Sequence, residues 1–185
     1  MDPCDVLKLH EAYVRGELEA LRRLLGDPPD FPNCAGPHGA GEIVLEYAIY
    51  HSPIPFVETL LDLGSDPVYE NHAGYPAVIA ALSSERRDRL ALVALLLDRG
   101  ADIQQRGVNG YTPLHWAAAR DDAELVEWLL ARGADPRART NVDDYATPLE
   151  EALILGKHEA ARALRAAEER KGSPDPGLQE KGSAG

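Results

Sequence analysis

The sequence predicts an all-α protein in which short antiparallel helix pairs stack in a row. The first observation is an apolar position that recurs in steps of 36, 33, 36 and 35 residues, at Leu9, Leu45, Val78, Leu114 and Leu149. Regular self-similarity at a period of about 20–50 residues is the signature of repeat architectures. The second observation is the content of each period. A helix rich in small residues, a polar break and a helix with one apolar stripe follow one another.

The clearest unit is NGYTPLHWAAARDDAELVEWLLARGAD, residues 109–135. Gly110 and Tyr111 predict a turn, and Pro113 suits the first helical position because its φ is already helical and it has no N–H to lose. Asp121 and Asp122 stand at the polar break, where they predict capping of the second helix. Gly133 predicts a left-handed stop after that helix. The unit is therefore one turn followed by two antiparallel helices.

Residues 112–117, Thr-Pro-Leu-His-Trp-Ala, match the Thr-Pro-Leu-His-x-Ala signature of the ankyrin repeat. The chain resembles that family from about residue 5 to 170. The resemblance implies an ankyrin-repeat solenoid of stacked antiparallel helix pairs with short β-hairpin-like turns. We expect a five-repeat array over 1–170, with polar terminal caps at about 1–36 and 141–170. Residues 171–185 have no periodicity and predict a disordered tail.

Composition narrows the classes of partner. The net charge of −12 argues against nucleic acid, because phosphates would be repelled. No apolar run approaches the ~20 residues that span a bilayer, and the N-terminal segment does not have the pattern of a signal peptide, so no membrane partner is expected. Cys4 and Cys34 do not make a disulfide framework, which indicates a reducing, cytoplasmic location.

The chemistry-bearing residues do not form a catalytic pattern, and we predict a non-enzymatic protein without metal or cofactor. The six histidines include no pair at the i, i+4 spacing of a helical zinc site, and there is no Cys-x-x-Cys. Neither cysteine has an identifiable base to activate it. Family resemblance implies that His10 and His115, both in a Leu-His pair, bond to backbone near the turns and hold the repeats in register.

The resemblance also implies protein binding through a concave surface made of turn tips and inner-helix ends. By register, the side chains on that surface are Glu42, Glu46, Tyr50, His51, Tyr75, Asn109, Tyr111, Trp116, Arg120, Asp144 and Glu150. Exposed tyrosines among carboxylates fit a basic or amphipathic segment of a partner protein, which binding would inhibit, stabilise or localise.

Two other functions stay open. A pocket at Tyr50, His51 and Trp116 would make the chain a small-molecule-binding or enzymatic protein, and a deep pocket with a pKa-perturbed acid or histidine would reveal it. Self-association through the tail or the N-terminal cap would make it a structural module. Open too is whether the irregular loop Pro28–Gly39 covers the groove. The polar insertion Ser83–Arg89 is interpreted as a neutral loop.

Overall fold

The computed structural model describes residues 3–36, 42–69, 75–84, 86–141 and 145–172. These residues form α-helices and no strand, so the predicted all-α class is confirmed. The helices are α1 (Pro3–Arg15), α2 (Leu18–Leu24), α3 (Val44–His51), α4 (Ile54–Asp62), α5 (Ala77–Ser83), α6 (Arg89–Asp98), α7 (Pro113–Ala119), α8 (Ala123–Ala131), α9 (Pro148–Ile154) and α10 (His158–Gly172). A 3-10 turn, Val108–Gly110, precedes α7.

The chain divides into two compact units, Met1–Pro113 and Leu114–Gly185. In the first unit, α3 packs against its pair mate α4 and against the inner helices α1 and α5, and α5 packs against α6. In the second unit, α10 packs against both α8 and α9. The first four recurring apolar side chains are buried, and the fifth, Leu149, is half-buried. The predicted period therefore marks the core of the stack.

Local sequence signals set several helix ends. Thr147 and Glu150 form a reciprocal capping box at the start of α9. The Asp122 carboxylate accepts the N–H of Leu125 at 3.0 Å at the start of α8, which confirms the predicted cap. Gly133 has φ 91° after α8, as the predicted left-handed stop requires.

One turn carries a conformation that its residue disfavours. Tyr145 occupies the position in the fifth repeat that Gly110 holds in the fourth, and its φ is 46°. A left-handed conformation costs an L-residue about 1–2 kcal/mol relative to glycine. The Tyr145 side chain is 62% exposed and recovers little of that cost by burial.

The segment expected as an irregular loop, Pro28–Gly39, is more ordered than predicted over its described part. Ala35 pairs with Ile43 in an isolated antiparallel bridge, so the described part of the segment is joined to the start of the second repeat. The Asn33 amide donates to the Gly64 carbonyl at 2.9 Å, which ties the same part of the segment to the end of α4. Residues 37–39 lie outside the described residues. The sequence did not predict this pairing because the Pro and Gly content of the segment is typical of an unstructured loop.

One described residue of the insertion Ser83–Arg89, Arg86, ties two repeats together, while the interpretation of the loop as functionally neutral stays a prediction. The Arg86 side chain is 15% exposed. Its Nη1 donates to the Ile49 carbonyl at 3.2 Å and also to the Ser52 carbonyl. Its Nε and Nη2 donate to the two carboxylate oxygens of Asp88 at 2.8 Å each. Arg86 thus joins the α5–α6 connection to the C-terminal end of α3.

At the C-terminal end, α10 runs to Gly172. The rest of the predicted tail, 173–185, lies outside the described residues. In the part of the chain that the structure describes, no helix is long and apolar enough to cross a bilayer.

Candidate functional site

Helix α3 brings aromatic and acidic side chains to the middle of the first unit. It packs against both α1 and α5, so its polar side chains meet groups of two neighbouring repeats. The Tyr50 hydroxyl lies 3.0 Å from Ser83 Oγ on α5. The Tyr47 hydroxyl lies 2.8 Å from His10 Nδ1 on α1. Each tyrosine is therefore held by a hydrogen bond to an adjacent repeat.

Two carboxylates and a second tyrosine lie near Tyr50. Burial raises the pKa of the Tyr50 hydroxyl, and Glu46, Tyr75 and Glu42 raise it further through electrostatic interaction, against the opposing effect of its hydrogen bond. Tyr75 is 41% exposed, whereas Glu42 and Tyr50 are half-buried. All four were expected from the sequence, and the structure brings them together. With His51, they are called the tyrosine–glutamate surface below.

An aromatic cluster that the sequence reasoning missed adjoins this surface. The exposed His51 ring lies 4.4 Å from the Tyr47 ring and 5.3 Å from the His10 ring, centroid to centroid. Tyr13 is fully buried beneath, with its ring 4.6 Å from that of Tyr47 and its pKa raised, mainly by burial. The available signal was the helical spacing of His10 with Tyr13 and of Tyr47 with His51, which puts each pair on one face.

The exposure expected for Glu46 is wrong, because this side chain is only 8% exposed. The reason is packing on both flanks. Helix α3 lies between α1 and α5 in the packing order, and every residue from Val44 to Ile49 is buried. Glu46 therefore acts on the tyrosine–glutamate surface through its charge and only slightly through contact area.

Two further predicted residues lie at the tip of the fourth repeat, still in the first unit. The Gly107 N–H donates to the Tyr111 carbonyl at 2.8 Å and closes the turn. Asn109 is exposed there with φ 59°, a left-handed conformation that asparagine tolerates better than most residues. Tyr111 is half-buried. This tip presents a polar side chain and part of an aromatic ring.

Three other predicted residues belong to the second unit. The Arg120 guanidinium stacks 3.7 Å from the centroid of the Trp116 ring, a cation–π contact. The N–H of Thr147 donates to the Glu150 carboxylate at 2.7 Å, which is the largest cause of the lowered pKa of that carboxyl. Arg139 lies 3.1 Å from the same carboxylate. Glu150 is thus engaged in holding its own helix start.

Asp144 lies outside the described residues. That the eleven predicted residues form one continuous groove stays a prediction, since they are distributed over both units.

The two Leu-His histidines differ. His115 is fully buried, and its Nε2 lies 3.0 Å from the Ala146 carbonyl, so Nε2–H donates to the turn of the next repeat. This confirms the expected backbone bond for His115. His10 bonds to the Tyr47 hydroxyl at 2.8 Å. Since the partner of His10 is a side chain and not backbone, the backbone bond that the family resemblance implies does not carry over to His10.

The described residues offer little that points to catalysis. The pKa of the Asp88 carboxyl is lowered by Arg86, and that of the Glu150 carboxyl is lowered by the Thr147 cap. Burial raises the pKa of the Cys34 thiol, which makes it a poor nucleophile. No group of three or more His, Cys, Asp or Glu side chains that could hold a metal occurs in the described ranges.

Short helix pairs joined by tight turns, with the inner helices α1, α3 and α5 packed in succession in the first unit, define a helical repeat protein of the solenoid class. The family's sequence profile, Ankyrin repeats (3 copies), matches residues 79–175, more than half of the chain. The chain therefore belongs to the ankyrin-repeat family. Ankyrin repeats are in general protein–protein interaction modules and in general not enzymes.

The relatives come from distant organisms. The chain is 30% identical over 161 residues to the Saccharomyces cerevisiae Target of rapamycin complex 2 subunit AVO2, covering 85% of this chain and 36% of that protein. It is 44% identical over 67 residues to Protein PhlB of Serratia liquefaciens, covering 36% of this chain and 29% of that protein. It is 31% identical over 130 residues to the mouse Nuclear factor NF-kappa-B p105 subunit, covering 69% of this chain and 13% of that protein. The chain thus spans a minor part of each relative.

Proposed function

We propose that this protein is a non-catalytic binding module that takes a basic or amphipathic segment of a partner protein on its tyrosine–glutamate surface. The observation that carries the proposal is the electrostatic convergence of Glu42, Glu46 and Tyr75 on Tyr50. A cationic side chain of the partner would meet two carboxylates and two aromatic rings at one place.

The physical basis is a partly desolvated acidic site with aromatic walls. A Lys or Arg side chain gains about 0.5–2 kcal/mol over an aromatic face, with the larger values where water is excluded. The buried Glu46 is screened less by water than a fully exposed carboxylate, so its charge acts more strongly on a nearby cation. Tyrosine gives a large contact area for few rotatable bonds.

Rigidity is the second contribution. A hydrogen bond to Ser83 holds Tyr50 to α5, and α3, the helix to which Tyr50 belongs, is packed against α1 and α5. Because the surface is formed before the partner arrives, binding loses little ordering entropy. The partner would be inhibited, stabilised or localised by being held there, in the cytoplasm. Asn109, Tyr111, Trp116, Arg120, Asp144 and Glu150 are proposed to extend the contact.

The test is affinity capture from a cytosolic lysate, followed by titration of the captured partner against variants of the full chain. Tyr75→Ala and Glu42→Lys are the test variants, each with unchanged circular dichroism. We expect each to weaken binding by about tenfold or more, as for a residue near the centre of an interface. The matched control is Tyr145→Ala, which removes an exposed tyrosine of the other unit.

A partner that binds the Tyr75 and Glu42 variants as tightly as the wild type would refute the assignment of the surface. A partner whose binding peptide is acidic would contradict the proposed chemistry, even if the protein does bind it.

A further inference from the structure

The last helix pair ends in a surface that is not fully polar, although a cap was expected there. Three consecutive residues at the end of α9, Leu153, Ile154 and Leu155, are 47, 58 and 47% exposed. Leu153 also lines a groove of about 420 Å³ against α10. Contiguous exposed apolar side chains rimmed by polar groups are typical of an interaction site.

The α10 side of this groove carries charges in a particular order. Its lining includes Arg162, Arg165, Ala166 and Glu169. Arg162 and Glu169 each lie 3.5 residues from the midpoint between Arg165 and Ala166, which is about one turn of helix in each direction. All four therefore share one face of α10. The face is cationic towards its N-terminal end and anionic towards its C-terminal end.

We propose that this face binds a second copy of the same chain, with the two α10 helices antiparallel across a two-fold axis. An axis that passes between Arg165 and Ala166 puts Arg162 of each copy opposite Glu169 of the other, so the same ion pair forms twice. Self-complementarity of one patch is what an isologous interface requires. A partner with uniform acidic charge would meet Glu169 as a like charge.

Side-chain size agrees with this arrangement. The axis puts the long Arg165 of one copy opposite the small Ala166 of the other, which leaves room for the arginine stem to lie along the groove. Leu153 supplies apolar surface beside it. Arg162 already lies 2.9 Å from Glu159 in its own helix, but that pair is 74% and 55% exposed and therefore holds Arg162 weakly.

The test is a charge swap measured by sedimentation equilibrium of the full chain. In Arg162→Glu and in Glu169→Arg, two attractive pairs per dimer become two repulsive pairs, and we expect the dimer dissociation constant to rise by about tenfold or more. The double variant R162E/E169R restores both pairs in reversed order and should return the constant to within about threefold of wild type. Added salt should weaken the wild-type dimer.

Matched controls keep the charge change and move it off the face. Glu168→Arg repeats the change of Glu169→Arg one residue away, about 100° around the helix. Arg137→Glu repeats the change of Arg162→Glu at an exposed position outside α10. Neither should alter the dissociation constant.

Several results would overturn the proposal. One is a chain that stays monomeric at every concentration tested. Others are a double variant that is no better than the single ones, and controls that weaken association as much as the test variants. Because this face lies in the second unit, none of these results bears on partner capture by the tyrosine–glutamate surface of the first unit.

Discussion

Replacing Arg86 by alanine should destabilise the first unit more than any other change in the α5–α6 connection. The helix α3 ends just before Pro53, and proline has no N–H to donate to the Ile49 carbonyl four residues earlier. Arg86 supplies that missing donor at 3.2 Å and also donates to the Ser52 carbonyl. The alanine variant leaves the Ile49 and Ser52 carbonyls at the C-terminal end of α3 without the donor that Arg86 supplies.

The magnitude follows from the bonds that are lost. Hydrogen bonds to a charged group contribute roughly 1.5–3 kcal/mol each, and less than their sum when they share one side chain. The ion pair with Asp88, which is 47% exposed, adds only about 0.2–1 kcal/mol. We therefore expect Arg86→Ala to lower the free energy of unfolding by about 2–4 kcal/mol. Arg86→Lys should recover part of this loss, because lysine keeps the charge but not the planar fork.

The assay is urea unfolding of the full chain followed by far-ultraviolet circular dichroism. Arg87→Ala is the matched control, since Arg87 is an exposed arginine of the same connection. Its effect should stay within about 0.5 kcal/mol. If Arg86→Ala and Arg87→Ala differ by less than about 0.5 kcal/mol, the tie between repeats does not contribute to stability and the reasoning is refuted.

The same pair predicts a pH dependence. The hydrogen bond from Arg86 is the main reason why the pKa of the Asp88 carboxyl is lower in the folded protein than usual. A lowered folded pKa gives stability that is present above the unfolded value of about 3.9 and is lost as the pH falls through the folded pKa. The difference in stability between wild type and Arg86→Ala should therefore narrow below about pH 4. A constant difference from pH 6 to pH 3 would contradict this cause.

Two further substitutions and one chemical modification have clear expected outcomes. His115→Leu removes a buried hydrogen bond to the next turn, so urea unfolding should show a loss of about 1–3 kcal/mol, and an unchanged midpoint would show that packing alone holds this turn. Tyr145→Gly removes a side chain that is mostly exposed and whose backbone has the left-handed conformation. The free energy of unfolding should therefore rise by about 0.5–1 kcal/mol, and the melting temperature should rise with it. A lower melting temperature would mean that the exposed ring contributes to stability. Iodoacetamide should modify the exposed Cys4 about tenfold faster than the buried Cys34, whose pKa is raised, and peptide mass spectrometry showing equal rates would contradict this.

Much of the fold is local in origin and could be predicted from the sequence. The signature around Thr112, the cap at Asp122 and the stop at Gly133 each act over a few neighbouring residues. The recurring apolar position marks the core because each helix buries one face against the next. The backbone bond of His115 was expected from the resemblance of its Leu-His pair to the family motif, whereas His10, in the other Leu-His pair, bonds to the Tyr47 hydroxyl.

The candidate site was predictable in position but less so in composition. Register alone selected Glu42, Tyr50 and Tyr75, and these do converge in the first unit. Register could not show that Glu46 is buried, because its exposure depends on the helices on both flanks. Nor could it show that Tyr47 and His10 meet, since they are 37 residues apart and belong to different repeats.

The sequence by itself thus determined the repeat, its family and several helix ends, because these depend on backbone preferences and on apolar spacing within some 35 residues. Only the tertiary structure decided how polar side chains are used between repeats. Arg86 reaches back to the end of α3, Asn33 reaches forward to the end of α4, and Leu153 stays exposed where no described helix covers it. The physical reason is that a long polar side chain finds its partner by distance in space, which the periodicity of a sequence does not encode.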